Sequence, residues 1–516
     1  MSVRYRPCRF ASLLLSSALV FSAQLQAQSQ PSCDAIPAVS TNGATRLGNG
    51  TPGSISTAQL QQAIDQGGTI VLDQGPSPTT IAITNTLIVN REVTIDGGGV
   101  VTLDGQSQQR LFLLENNNNI NYRFQLQNIT LENGASPSGS GAAVYKPVGG
   151  PWQAVSVALV NTQFRHHRAI TTAQDDGGGA LYGTGLDQIL ISHSQFEDNQ
   201  GSNGGAIYSL GSRQIIITDS EFTNNRATGT QGNPGNGGNG GAIGVDGGER
   251  QVQICRSQLI NNQANAFGAG FFSVMYDTQS FTGFTDTLFD GNRNPGGFGF
   301  AGAAYIQGGP FEIRRSSFIA NEANGVGALF LGPSSLGQVI NSSFYNNTAR
   351  AALAGAMAID GSAQVHLIHN TIAFNQAPGP VAFAGGIQVP AANQVTMSNT
   401  ILAHNTGGNA FNPWNILNPV QDGGGNLQFP QFRPNGMAET AATNTVLWAE
   451  PELSAAAENG GFTPSMALSA SSPAIDQGHG AASSPIDQRG EMRVRTADIG
   501  AYEFTNDRIF SDGFEA

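Results

Sequence analysis

A hydrophobic pattern that repeats about every 30 residues runs through the middle of the chain. Its clearest copy is residues 194–208, where Ser-Gln-Phe-Glu-Asp-Asn precedes Gly-Gly-Ala-Ile-Tyr. The first half has the form Ser/Thr/Asn-x-apolar-x-x-Asn, with a weak first copy. Its apolar position holds Thr130, Phe164, Phe196, Phe222, Leu259, Phe289, Phe318, Phe344, Ile372 and Leu402. Its last position holds Asn133, His167, Asn199, Asn225, Asn262, Asn292, Asn321, Asn347, Asn375 and Asn405.

Two further apolar runs accompany the motif. One precedes it, as in residues 188–191, 214–217 and 364–367. The other follows it and consists of two small residues and a residue that is usually large and apolar. This run ends at Val144, Leu181, Ile207, Ile243, Phe271, Ala304, Leu329, Met357 and Ile387. Each period therefore predicts three short strands bounded by Gly, Asn and Asp.

Such strands favour an all-β fold, a right-handed parallel β-helix. Three strands of about four residues cannot bury an apolar side alone, but coils stacked about 4.8 Å apart pair their backbones with the coils above and below. The phenylalanines then form an interior column, and the small residues fit a tight bend. The Asn position suits a corner, because Asn tolerates the left-handed conformation and its amide bonds to neighbouring backbone. Glycine, at 67 of 516 residues, excludes a helical solenoid.

These motifs resemble the repeats of the chlamydial polymorphic outer-membrane proteins. The resemblance rests on runs such as Phe196 to Asn199 and Phe222 to Asn225, with Gly204 to Ile207 and Gly240 to Ile243. It implies a surface β-helix and an association with adhesion. Because the motif sets coil geometry, it specifies the fold more strongly than the function.

The N-terminal region predicts export followed by a cap. Residues 1–27 have the charge, apolar core and small-residue end of a signal peptide. The apolar core is too short for a membrane span, so no transmembrane segment is expected. Within the N-terminal segment 28–68, Ser56 to Gln59 form a capping box that opens a short amphipathic helix, which is expected to cap the β-helix of residues 69–405.

The C-terminal region carries different signatures. Residues 406–503 contain runs such as Gly424 to Leu427 and Asp498 to Glu503, and resemble the choice-of-anchor domain of bacterial secreted β-helix proteins. An irregular C-terminal cap is expected there. The tail, residues 504–516, is similar to terminal motifs of exported gammaproteobacterial proteins. Six charged residues are expected to form an ion-pair network over the last coil. They are Asp476, Asp487, Arg489, Arg493, Asp498 and Glu503.

Charge and cysteine content limit the classes of binding partner and indicate the cellular compartment. The formal net charge is −13, and Lys146 is the only lysine, which argues against nucleic acid and anionic lipid. Without its signal peptide the chain keeps Cys33 and Cys255, which either pair or remain as two thiols. Neither has a Cys-x-x-Cys or His cluster beside it, so no metal site and no cofactor are expected.

One predicted corner differs from the repeat, because it carries side chains that can transfer protons. His166 and His167 stand where other coils end in Asn, and Asp175 and Asp176 follow on the same loop. These four residues are candidates for general acid–base catalysis or for binding an acidic sugar. The alternative is a solvated corner with local ion pairs. His366, His369 and His404 fall in or beside strands, where packing or a hydrogen bond at the rim is expected.

Known β-helix enzymes offer further motifs to compare. The opening coils resemble those of pectin-degrading enzymes with a pectin lyase-like fold. Polygalacturonases pair an Asp-Asp with a Gly-His-Gly on neighbouring coils, whereas here Asp175-Asp176 and Gly478-His479-Gly480 are expected far apart. The Asn-Thr-Asp and Arg-Ile-Lys pieces, and the Arg-x-Pro-x-x-Arg segment of pectate lyases, are missing from the sequence.

The sequence therefore favours a non-catalytic binding or adhesion protein, secreted or on the outer surface of a Gram-negative bacterium, whose partner is a glycan or a protein. The alternative is a carbohydrate-active enzyme, a lyase or a hydrolase, that acts on an acidic polysaccharide. The absence of a complete catalytic set among the motifs favours the first interpretation.

Overall fold

The chain forms a parallel β-solenoid of about 13 turns with a single short helix, as the repeat predicts. The structure is a computed structural model. It describes residues 32–505, apart from 137, 138, 170, 231, 233, 234, 249, 250, 278, 298, 481 and 482. The predicted signal peptide 1–27 and residues 506–516 of the predicted tail lie outside the described residues. No helix within the described part of the chain has the length and apolarity of a membrane span.

The helix, Thr57–Gln66, begins at the predicted capping box. Ser56 Oγ accepts from the backbone N–H of Gln59, and the Gln59 side chain accepts from the N–H of Ser56 at 2.9 Å. The helix ends at Gly67, which has φ +81°. Its buried face packs against the opening strands and caps the first coils. That face consists of Thr57, Leu60, Ala63 and Ile64.

Each coil contributes strands to three long faces, of which the first two belong to one 26-stranded sheet. The first face contains Thr45–Gly48, Gly68–Asp73, Val93–Asp96, Gln188–Ser192, Gln214–Thr218, Gln251–Cys255, Phe281–Thr285, Gly309–Arg314, Ser335–Ile340, Gln364–Ile368, Gln394–Ser398 and Gln421–Asp422. The second contains Thr79–Ala82, Val101–Asp104, Gln195–Glu197, Glu221–Thr223, Gln258–Ile260, Leu288–Asp290, Ser317–Ile319, Ser343–Tyr345, Thr371–Ala373, Ile401–Ala403, Leu427–Phe429 and Leu447–Trp448. Tyr122–Glu132 and Val155–Arg165 span both faces.

The third face is an 11-stranded sheet. It contains Leu87–Val89, Phe112–Leu114, Val144–Lys146, Leu181–Thr184, Ile207–Leu210, Ile243–Gly247, Phe271–Met275, Ala304–Gln307, Leu329–Leu331, Met357–Ile359 and Ile387–Gln388. Short two-residue strands lie between the second and third faces. They are Arg168–Ala169, Gln200–Gly201, Arg226–Ala227, Glu322–Ala323, Thr348–Ala349, Gln376–Ala377 and Thr406–Gly407. The ladders extend beyond the repeat motif at both ends, because Thr45–Gly48 and Leu447–Trp448 also pair in parallel.

The predicted aromatic column is present inside the second face. Phe164 stacks on Phe196 with ring centroids 4.9 Å apart, and Phe196 stacks on Phe222 at 4.7 Å. All three rings are fully buried. One position differs from the sequence analysis, since Leu131 and not Thr130 pairs with Phe164. The weak first copy of the motif is therefore out of register by one residue, which in a strand reverses the face that a side chain occupies.

The last motif position forms a buried ladder of amides at what we call the second corner, where the second face ends. Asn199 Nδ2 donates to Asn225 Oδ1 at 2.9 Å and to the carbonyl of Phe164 at 3.0 Å. The predicted amide bonding is thus confirmed, but the left-handed residue is the preceding one, for example Asp198 (φ +52°) or Asn224 (φ +57°). The ladder runs through Asn199, Asn225, Asn262, Asn292, Asn321, Asn347, Asn375 and Asn405.

A second ladder occupies what we call the first corner, between the first and second faces. The N–H of Ser194 donates to Ser220 Oγ, and the N–H of Ser220 donates to Ser257 Oγ, each at 3.1 Å. The Ser/Thr/Asn that opens the repeat motif is therefore a hydrogen-bonding residue, and the motif specifies both corners of the second face. Both ladders satisfy backbone groups that the corners remove from strand pairing.

A disulfide fixes the N-terminal segment along the first face. Cys33 pairs with Cys255 at a Cα–Cα distance of 5.7 Å, and Val39 exchanges two hydrogen bonds with the Gln127 side chain. Gln127 and Cys255 belong to one column of register-matched residues, which also includes Val160, Ser192 and Thr218. Gln127 and Cys255 are four coil intervals apart, which is a distance of about 19 Å. The six residue intervals from Cys33 to Val39 span about 20 Å when extended, so they match that distance. Residues 33–39, which we call the strap, therefore lie along the solenoid axis.

The irregular residues 453–505, which we call the C-terminal lobe, pack along the first corner. Gln488 bonds to Ser317 Oγ at 2.7 Å and to Ser343 Oγ at 2.6 Å, and the N–H of Ala501 donates to Thr371 Oγ1 at 2.9 Å. Four of the six predicted charged residues pair with one another, whereas Asp476 lies 4.0 Å from Arg495 and Asp498 accepts from backbone N–H groups. The ion pairs are Arg489–Asp487 at 2.8 Å and Arg493–Glu503 at 3.0 Å. These pairs stabilise the lobe itself, and its bonds to three successive coils place it along the side of the solenoid and not over the last coil, where the sequence analysis expected it.

Candidate functional site

His167 is a member of the amide ladder. Its Nδ1 accepts from the N–H of Gly134 at 2.9 Å, so Nε2 carries the proton and donates to the carbonyl of Leu131 at 3.1 Å. Asn199 makes the same two kinds of bond one coil later. Burial lowers the pKa of His167 to about 3. A neutral imidazole with both nitrogens engaged has no nitrogen left for proton transfer.

The other three predicted site residues have separate surroundings. His166 is exposed in the left-handed region, with its Nε2 3.6 Å from an Asp198 oxygen. Asp175 is exposed. Asp176 accepts from Thr171 Oγ1 at 2.8 Å and from a serine of the preceding coil. None of the four predicted residues lines the pockets described below.

The Asp-Asp and Gly-His-Gly motifs are also far apart, as expected from the sequence. The N–H of His479 donates to Asn399 Oδ1 at 2.6 Å, in a coil eight turns beyond the coil of Phe164 that precedes Asp175. Eight coils correspond to about 38 Å. Among the described residues, no group of three or more His, Cys, Asp or Glu is placed to hold a metal ion.

An exposed tryptophan provides a flat aromatic surface that the sequence analysis did not single out. Trp152 is 59% exposed and belongs to the turn before the long strand Val155–Arg165. Its indole lies against Gly185 and Gly211, since a Cβ built on either glycine would overlap the ring. Both glycines have positive φ, +62° and +66°. Two consecutive coils are therefore shaped to hold one indole flat on the surface.

A polar pocket of about 430 Å³ is lined by residues adjacent to Trp152 in the chain and by neighbouring coils. Asp187 is held there by Arg213, whose Nε donates to Asp187 Oδ1 at 2.6 Å. The lining includes carboxylate, guanidinium, amide and hydroxyl groups. Its members include Glu92, Asn121, Arg123, Gln153, Ser156 and Asp187. The site therefore combines an aromatic plane with hydrogen-bonding groups of both kinds.

A row of amides continues from this pocket along the first face. Gln188 Nε2 donates to Gln214 Oε1 at 2.7 Å, and Gln214 Nε2 donates to Gln251 Oε1 at 2.8 Å. The three residues are in register, one per coil. A signal for this row was present in the sequence, because each of these residues opens the apolar run that precedes the motif. Trp152 had no such signal, since it lies outside the repeat.

Of three comparisons with known proteins, the one with solved structures found matches. No protein-family model matches the chain, and no curated protein matches it. Three chains of solved structures match it. One of them is the complex structure of alginate lyase AlyF-OU02 with G6, at 12% identity and a TM-score of 0.39, covering 86% of this chain and 92% of that chain.

Proposed function

We propose that this chain is an exported, non-catalytic protein that binds a glycan at Trp152 and the polar pocket beside it. The observation that carries the proposal is the exposed indole held flat by Gly185 and Gly211. A sugar ring has one apolar C–H face and a rim of hydroxyls. An exposed aromatic plane with polar groups at its edge complements both.

The row of glutamines supports a chain-like ligand in preference to a single sugar. Gln188, Gln214 and Gln251 offer one amide per coil, at a spacing of about 4.8 Å. Amides both donate and accept hydrogen bonds, which suits hydroxyl groups. An extended glycan that stacks one ring on Trp152 can continue along this row, parallel to the solenoid axis.

Export is part of the same proposal and rests on two observations. The first is the signal-peptide pattern of residues 1–27. The second is the disulfide between Cys33 and Cys255, because such bonds form and persist in oxidising compartments outside the cytoplasm. Both support a secreted or surface-associated location, and the similarity of the tail to gammaproteobacterial terminal motifs supports a Gram-negative source. Surface adhesion through the bound glycan is the corresponding role.

The test measures binding and turnover on the same samples. The mature chain is titrated calorimetrically with a panel of neutral and uronate-containing polysaccharides, and each mixture is assayed for reducing ends and unsaturated products. We expect at least one polymer to bind without product. Trp152→Ala should weaken that binding at least tenfold. Phe411→Ala removes another exposed ring, 85% exposed and on a different part of the surface, and should leave binding unchanged.

Two results would overturn the proposal. Equal binding by the wild type and Trp152→Ala would show that the indole is not the contact surface. Product formation from a uronate polymer would establish the carbohydrate-active enzyme that the sequence leaves as the alternative. If that activity were lost in His167→Asn, which keeps the ladder bonds, the His166–Asp176 loop would be its active site.

A further inference from the structure

A second pocket, of about 460 Å³, lies near the C-terminal end of the solenoid and is walled by aromatic rings. Phe374 and His404 occupy the left-handed position of the second corner in consecutive coils. Phe429 and Trp414 line the same pocket, and Phe432 adds a ring that is 58% exposed. The pocket is separate from the Trp152 site and shares no residue with it.

The rings of this pocket are arranged around an acid–imidazole pair. His404 stacks on Phe374 with centroids 4.6 Å apart and an interplanar angle of 8°, and meets Phe429 at 60°. His404 Nε2 lies 2.8 Å from Glu450 Oε1. The Glu450 side chain is 41% exposed. The Glu450 carboxylate therefore lies directly behind the imidazole that lines the pocket.

The Trp414 side of the pocket is anchored by a buried ion pair. The N–H groups of Trp414 and Asn415 donate to Glu439 Oε2 at 2.8 and 2.9 Å. Glu439 is buried and paired with Arg433 at 3.3 Å, and Arg433 also donates to the carbonyl of Asn412 at 2.7 Å. Because Glu439 and Arg433 neutralise each other, they add no net charge to the pocket. The wall is formed before any ligand arrives, which lowers the entropy cost of binding.

The composition of this pocket selects among ligand classes. A sugar needs many converging donors and acceptors, but the polar residues of the lining are His404, Asn405 and Thr406. Asn405 is already engaged in the buried ladder. Aromatic faces beside a carboxylate attract a cation whose surface is largely C–H, through the ring quadrupole and the nearby charge. The net charge of −13 favours a cation over an anion as well.

We propose that the pocket formed by Phe374, His404, Trp414, Phe429 and Phe432, with Glu450 behind His404, binds an organic ammonium ion. The methyl or methylene groups of the ligand contact the rings, and its positive charge is balanced by Glu450. The proposal is independent of glycan binding at Trp152, so either can fail alone.

The experiment compares a cation with its neutral isostere on the mature chain. Choline and 3,3-dimethylbutan-1-ol have nearly the same shape, with nitrogen replaced by carbon. We expect choline to bind saturably in calorimetric titrations, at least tenfold more tightly than the alcohol, and more weakly as salt is raised. Phe432→Ala and Glu450→Gln should each weaken choline binding at least fivefold. Phe411→Ala, which lies outside the pocket lining, should leave it unchanged.

Competition then distinguishes two sources of the ammonium group. Displacement of choline by putrescine, but not by its neutral counterpart butane-1,4-diol, would assign the ammonium to a primary alkylamine. No displacement by either, with choline still bound, would assign it to a methylated amine. Equal affinity for choline and the neutral alcohol, or an unchanged affinity in Glu450→Gln, would overturn the proposal, because the pocket would then recognise shape and not charge.

Discussion

Asn292 Nδ2 donates a hydrogen bond to Asn321 Oδ1, 3.0 Å away in the next coil. The same nitrogen donates to the carbonyl of Leu259 at 2.8 Å, and the backbone N–H of Asn292 also donates to Asn321 Oδ1 at 3.0 Å. Both asparagines are fully buried. Each amide therefore satisfies groups in the coils on both sides, and the ladder transmits register from coil to coil.

Removing one amide from this ladder should be costly. Asn292→Ala removes the donor to the Leu259 carbonyl and the acceptor of the Asn262 backbone N–H, and each buried unpaired group costs about 1–3 kcal/mol. We expect the free energy of unfolding to fall by about 2–4 kcal/mol in denaturant titrations. The matched control is Asn444→Ala, at an exposed position, which should change it by less than about 0.5 kcal/mol. Similar losses in the two variants would contradict the role given to the ladder.

His167 should make the fold sensitive to acid. Burial holds its pKa at about 3 in the folded state, below the ordinary value of 6.5, so the unfolded chain binds a proton that the folded chain excludes. Stability is therefore fully present above about pH 6.5 and is lost as pH falls towards 3, at about 1.4 kcal/mol per unit. His369, whose pKa burial also lowers to about 3, adds a similar dependence.

His167→Asn isolates this contribution, because asparagine makes the same ladder bonds in the other coils. We expect the variant to match the wild type near pH 7.5 and to exceed it by about 2 kcal/mol at pH 5. Denaturant titrations at the two pH values measure the difference. Parallel loss of stability in both proteins would show that His167 does not titrate as the buried geometry requires.

The stacked coils could be predicted from the sequence, because residues at the same position of successive periods lie above one another in the solenoid. Phe196 and Asn199 each recur at a fixed spacing, so their column and ladder follow from the pattern. His167 is a catalytic candidate by residue type, which suggests proton transfer, whereas in the ladder its two nitrogens stand in place of the oxygen and nitrogen of an amide. Non-repeating contacts left no such signal. Trp152 against Gly211, and Gln488 against Ser317, depend on folding that a single period does not encode.

Reduction of the disulfide should release the strap. Cys33 and Cys255 are 222 residues apart, and closing a loop of that length restricts the unfolded chain strongly. We expect Cys33→Ser to lower the free energy of unfolding by about 2–5 kcal/mol. The strap should also become cleavable by protease, which N-terminal sequencing of the fragments would show. Wild type in reductant should behave like the variant, and no difference between oxidised and reduced protein would refute the anchoring role.

Loss of Arg493 should detach the C-terminal lobe. Its guanidinium pairs with Glu503 at 3.0 Å and donates to Asn341 Oδ1 at 3.0 Å, so it joins the lobe to the first corner. Arg493→Ala leaves the buried Glu503 carboxylate unpaired, at a cost of about 3–5 kcal/mol. Arg495→Ala is the control, because the Arg495 side chain is 83% exposed and its pairing distance is 4.0 Å.

Limited proteolysis and thermal melting measure the effect of Arg493→Ala on the lobe and on the solenoid separately. We expect Arg493→Ala, but not Arg495→Ala, to be cleaved rapidly within residues 453–505 while the strand signal of the solenoid persists. The solenoid has its own inner core, whereas Met466, Leu468 and Ile499 of the lobe pack in a smaller cluster against Ile401 and Leu427 on the outside of the second face, so loss of the lobe leaves the inner core in place. A single transition that removes lobe and strands at the same temperature would show instead that the first corner needs the lobe to stay folded.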